Sequence, residues 1–147
     1  MVALAIGVSQ NAWGSPAQDK ALLKAAYSLE IDKVRDALKA GANPNSVKDL
    51  RPFLTPLTST LMGVSYQNNK PHPKSHRMRI DIIKMLFANG ARLGSHDYSI
   101  LKFPIRRGEL PLISLLLANG ASPSREILGY TPTKYALVSN QQSASDL

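Results

Sequence analysis

The chain contains no cysteine, which excludes disulfides, thiolate zinc sites and a cysteine nucleophile. Acidic side chains are few, 10 Asp and Glu against 18 Lys and Arg. That balance suits an acidic partner, an anionic surface or nucleic acid, and says nothing about fold. No apolar run approaches the length of about 18 residues that crosses a bilayer. Also missing are G-x-S-x-G, H-E-x-x-H and any glycine-rich phosphate loop, and the carboxylates scatter along helix exteriors, as at Glu30, Asp32 and Asp36. A hydrolase needs a nucleophile beside a base, or two carboxylates in one pocket. The expectation is a protein that is not an enzyme and carries no cofactor and no metal.

What is there reads as one folded domain: 147 residues, 44% hydrophobic and 19% charged, is enough for a core and too hydrophobic for global disorder. The N-terminus stands apart. MVALAIGVSQNAWGSPAQ has no charged side chain before Asp19, and it runs apolar from Val2 to Val8. It then meets two small-residue sites, Ala12-Trp13-Gly14 and Ser15-Pro16-Ala17. This is similar to the tail of a secretory signal without its basic start. Residues 1–17 are read as a leader or N-terminal arm and 18–147 as the mature domain, placed in a bacterial periplasm or secreted. The alternative is a cytoplasmic protein with an apolar arm.

The chain repeats itself. LLKAAYSLEIDKVRDALKAGANPN from Leu22, IDIIKMLFANGARL from Ile80 and SILKFPIRRGELPLISLLLANGASPS from Ser99 align on Gly-Ala pairs at 41-42, 90-91 and 120-121. Thr-Pro pairs at 55-56 and 131-132 open further units. Thr at an N-cap accepts from the first turn, and Pro at the next position loses nothing by lacking an N–H. Val34/Ala37/Leu38, Ile83/Leu86/Phe87 and Ile113/Leu116/Leu117 recur at helical spacing as one apolar stripe. Gly41, Gly90 and Gly120 are placed to stop a helix in the left-handed conformation. T-P-L opening one helix and L-L-x-x-G-A closing the next, at a period near 33, resembles the ankyrin repeat.

The resemblance implies an all-α solenoid: three fairly complete helix-pair repeats, a truncated C-terminal cap and short hairpin-like fingers. Repeat one has Leu29-Glu30 where that family has Gly-His, and it lacks Thr-Pro. Pro104 should kink or shorten the first helix of repeat three. The fourth unit begins as GYTPTKYALVSN and runs out in QQSASDL, so its second helix is expected to be a stub or absent. Repeat two is longer than repeat one, and QNNKPHPKSHR falls in the excess, an inserted loop around 64–78. Its His72 and His76 would face one way only in a helix, which Pro71 and Pro73 oppose, and no carboxylate lies between Asp49 and Asp81. Its Lys70, Lys74, Arg77 and Arg79 suit phosphate, but Tyr66 is the only aromatic nearby, so a solvated loop outweighs both metal and nucleic acid.

The family mostly binds proteins through hairpin tips and the exposed ends of its first helices. Carried onto this chain, those positions are Tyr27, Met62, Arg106 and Arg107 at helix ends. The fingertips are Arg51, Phe53, Leu54, His96, Tyr98, Leu128 and Tyr130. Tyr, Arg and Met cover much area at modest entropic cost. The resemblance therefore implies a monomeric binding module whose partner is another protein, with a cell-wall hydrolase as the class expected for an exported self-protection factor. An intracellular adaptor or delivered effector is the alternative.

Overall fold

The computed structural model describes residues 14–47, 51, 54–94, 100–127 and 129–145, with 139–145 described by their backbone alone. Among them the chain is mostly helical: α1 (Pro16–Tyr27), α2 (Ile31–Lys39), α3 (Pro56–Met62), α4 (Ser75–Ala88), α5 (Lys102–Arg107), α6 (Leu110–Ala118) and α7 (Pro132–Ser145). The one strand pair among the described residues is antiparallel, β1 (Tyr66–Gln67) with β2 (Lys70–Pro71), between α3 and α4. Contacts divide the chain into two compact units that meet in sequence at Ala91 and Arg92; each is described by itself.

In the first unit α1 pairs with α2 and α3 with α4, while α1 also packs on α3 and α2 on α4. First helices thus lie against first helices, and second against second. The core between them is Leu22, Ala25, Ala26 and Val34 from the first pair with Leu57, Leu61, Ile82, Ile83 and Leu86 from the second. The second unit repeats the pattern: α5 pairs with α6 and packs on α7. Leu101, Leu112, Leu116, Ile127 and Tyr135 are its main buried residues. There Leu112 takes the buried place expected of Ile113, which is half-buried, and Leu117 is exposed.

Each second helix stops in one way. Gly41, Gly90 and Gly120 have φ of 94°, 90° and 99°. Each glycine N–H and the N–H of the alanine after it reach back to carbonyls of the last helical turn, Ala42 to Ala37, Ala91 to Leu86 and Ala121 to Leu116. This is the paired backbone closure that a left-handed residue permits, and all three alanines are buried. First helices of two pairs close likewise, at Gly108 (φ 66°) and at Leu29 (φ 55°). A leucine there costs about 1–2 kcal/mol of backbone strain. Leu29 is 3% exposed, and burying such a side chain returns about 1.5–3 kcal/mol, so burial offsets the strain.

Repeat one does have its helix start: Ser15 Oγ accepts from Gln18 N–H, Gln18 Oε1 accepts from Ser15 N–H at 2.7 Å, and Pro16 is the first helical residue. Ser15-Pro16 does for α1 what Thr55-Pro56 does for α3. The boundary drawn at 17 therefore falls inside a helix. Pro104 lies in the first turn of α5, where no N–H is needed, and α5 is indeed only six residues long. The fourth unit has its first helix, the 14-residue α7, which runs on through the QQSAS stretch, and no second helix follows it among the described residues, as expected.

Polar contacts hold each helix pair of the first unit and, through Asn45, join one pair to the other. Asp19 Oδ1 accepts from Asn43 N–H at 2.7 Å, and Asn45 Nδ2 donates to the Gly90 carbonyl at 3.0 Å. Buried Arg79, 5% exposed, donates from Nη1 to the Gly63 carbonyl at 2.9 Å. Gly63 itself lies against the Tyr27 carbonyl, where any Cβ would collide. Replacing Arg79 by Met keeps the apolar stem but removes the donor from that carbonyl. The expected loss is about 1–3 kcal/mol, read as a lower urea midpoint with an unchanged m-value.

Candidate functional site

The stretch expected to be an irregular loop is built. Asn68 and Asn69 have φ of 54° and 59°, the pair of left-handed residues that a two-residue turn needs to match strand twist. Asparagine tolerates that region better than most side chains. Tyr66 then faces Pro71 and Gln67 faces Lys70. His72 follows as a backbone organiser. Its N–H donates to the Ser65 carbonyl at 2.8 Å, its own carbonyl accepts from Ser75 N–H and Ser75 Oγ, and its Nδ1 accepts from Lys74 N–H at 3.1 Å. Helix α4 begins at Ser75, so the insertion is part ribbon and part an early start to a 14-residue helix. The two histidines are not on one helix face: His72 precedes α4, and His76 lies exposed in its first turn.

All six residues from Tyr66 to Pro71 are exposed, as are Lys74, His76 and Arg77. Arg79, grouped with these cations by sequence, is the exception: it points inward to Gly63. Two ion pairs lie along α2 and its N-cap, Lys33 with Glu30 and Arg35 with Asp32 at 2.6 Å.

The positions carried over from the family resemblance fall in both units. Tyr27 closes α1 and is 54% exposed, while Met62 ends α3 half-buried. Their proximity follows from Gly63 against the Tyr27 backbone. Arg51 is exposed, its carbonyl accepting from Leu54 N–H at 2.9 Å, and Leu54 is half-buried. In the second unit Arg106 and Arg107 are exposed in the last turn of α5, just before left-handed Gly108. The Arg107 guanidinium lies 5.8 Å from the Phe103 ring centroid. Tyr130 is 38% exposed with Lys134 Nζ 5.4 Å from its ring, and it pairs through its backbone with Ile127. Phe53, His96, Tyr98 and Leu128 lie outside the described residues.

Neither a scan of protein-family models nor a search of curated proteins finds a match to this chain. Function has to be argued from the residues. Among the described residues no cluster of three His, Cys, Asp or Glu is placed to hold a metal ion, and no helix is long and apolar enough to cross a membrane. The arrangement offers chemistry of contact: guanidinium groups that pair two-pronged with carboxylates, and tyrosines with one wet face.

Sequence reasoning missed two features that had signals. Ser15-Pro16-x-Gln18 is a capping box, a signal that the peptidase-site reading of the same residues passes over. Asn68-Asn69 between short extended segments marks a hairpin turn, and the prolines around it drew attention away. Replacing both asparagines by valine puts β-branched side chains at positive φ. The expected result is fast amide exchange at Gln67 and Lys70 with global stability changed by less than about 0.5 kcal/mol.

Proposed function

We propose that this protein is a non-catalytic, exported binding module of the ankyrin-repeat kind that binds and inhibits an exported enzyme, a peptidoglycan peptidase being the class expected, in the manner of a self-protection factor. The observation that carries the fold part is the recurrence of one unit. A helix, a left-handed closure, a second helix and a second left-handed closure follow each other at α1–α2 and again at α5–α6. First helices pack on first helices in both units. Arrays of that kind bury a face no single unit could bury alone and leave helix ends and turns to partners. The exposed Arg106 and Arg107, Tyr27 and Tyr130 occupy such places, and fold alone does not name the partner.

A second reading, an intracellular adaptor, gains from the capping box at Ser15. A peptidase cutting after Ala17 would remove the cap and the first two residues of α1, worth about 1 kcal/mol for the cap. A cut after Gly14 would leave Ser15 in place and remove one backbone bond, Gly14 N–H to the Gly41 carbonyl. Sequencing the mature N-terminus decides between them: a start at Ser15 supports export, and an intact N-terminus supports the adaptor.

The partner is tested by crosslinking and pull-down from the native envelope fraction, with Arg106→Glu/Arg107→Glu in parallel. The wild type is expected to bring down a cell-wall hydrolase and to slow it in vitro, and the charge-reversed protein to lose both. Recovery of the same proteins by both forms would remove the arginine pair from the site. Recovery of none would count against the envelope partner, and cytoplasmic extract is then the fraction to probe.

A further inference from the structure

The resemblance gives no task to the ribbon at 66–71, yet its surroundings differ from the rest of the first unit. Between Leu50 and Ile80 there is no carboxylate, while Lys70, Lys74 and Arg77 follow one another on the exposed side. On α2 the chain places Lys33 beside Glu30 and Arg35 beside Asp32. Among the described residues Lys70, Lys74 and Arg77 have no ion pair of that kind, and Asp81, one turn beyond Arg77 on α4, pairs with neither Arg77 nor Lys84. Tyr66, at 67% exposed, is among the most exposed large apolar-bodied side chains described in the chain.

The segment is also held still. Arg79 to the Gly63 carbonyl and His72 to the Ser65 carbonyl fasten its two ends, and the Asn68-Asn69 turn closes the middle. A surface ordered during folding does not have to be ordered again on binding, which is where much affinity is otherwise lost. Its base is Gly63, against the backbone of Tyr27. Tyr66, Tyr27 and Met62 therefore belong to one end of the first unit.

We propose that the segment Tyr66–Arg77 is a docking platform for an acidic segment of a protein partner. Lys70, Lys74 and Arg77 pair with its carboxylates and Tyr66 covers its apolar side chains. The proposal rests on the protein-binding reading above and names the chemistry of the partner. A protein fits better than a nucleic acid because the ribbon offers one aromatic, whereas strand binding stacks successive bases on several. The neighbouring Tyr27 and Met62 are of the types that anchor protein interfaces.

The test uses the full chain and a short fluorescein-labelled peptide of repeated Glu-Asp-Leu, followed by anisotropy at low salt, with a single-stranded oligonucleotide of similar length beside it. Lys70→Gln/Lys74→Gln/Arg77→Gln is expected to weaken the peptide about tenfold and Tyr66→Ser about threefold. The charge-matched Lys20→Gln/Lys24→Gln/Lys39→Gln, on α1 and α2, should stay within about twofold. Urea midpoints of all variants confirm that each is folded. Equal loss in the two triple variants, absence of peptide binding, or tighter binding of the oligonucleotide overturns the platform. If that happens while the envelope pull-down still recovers a hydrolase, only the platform falls. If the peptide behaves as expected and the pull-down is empty, the platform stands and the hydrolase reading falls.

Discussion

A helix pair can bury its apolar stripe only if the chain leaves each helix in a fixed direction, and here that direction is set by left-handed residues. Five helix ends turn on positive φ, at Leu29, Gly41, Gly90, Gly108 and Gly120. Two backbone hydrogen bonds close each of them. The geometry drops an alanine into the core after every second helix and brings the next segment back along the first. Leu29 shows that the constraint is on the backbone and not on glycine as such. There the burial of the side chain, about 1.5–3 kcal/mol, offsets a backbone strain of about 1–2 kcal/mol.

The insertion in the second helix pair tests that scheme, because it separates α3 from α4 by a ribbon the pattern does not include. Register survives because the two ends of the insertion are fastened to the core: the Gly63 carbonyl receives Arg79, and Gly63 has no side chain to hold it off Tyr27. A cation in a core is costly unless its donors are used. Here the guanidinium meets the carbonyl that ends α3, a place where positive charge is welcome. The early start of α4 at Ser75 supplies the extra turn from which Arg79 can reach inward.

Charge is distributed in two ways in the first unit. Along α2, cations sit three residues from carboxylates, pairs worth a few tenths of a kcal/mol that mainly keep a helix face soluble. From Lys70 to Arg77 the cations stand without acids on a surface that the fold has made rigid. The second arrangement has no ion-pair partner to neutralise it among the described residues and leaves the attraction available to something outside the chain. Arg106 in the second unit is likewise exposed, at the end of a short helix whose last carbonyls it complements.

Residue identity by itself carried the parts that depend on local rules. The Gly-Ala stops, the Thr-Pro starts and the helical stripes at Val34, Ile83 and Leu86 were readable because capping, φ and periodicity act within a few residues. Where two local rules overlap, residue identity leaves the choice open: Ser15-Pro16-Ala17 satisfies both a helix cap and a peptidase site, and the prolines at 71 and 73 mask the Asn68-Asn69 turn. Of the positions carried over as contacts, the sequence could name Tyr27 and Arg106 but not tell that Met62 and Leu54 would be half-buried. That depends on how much of each side chain its neighbours cover. Arg79 is the plainest case. By sequence it is one of four basic residues in a loop; only the approach of α4 to the end of α3, which no local rule encodes, turns it inward and leaves the other three facing water.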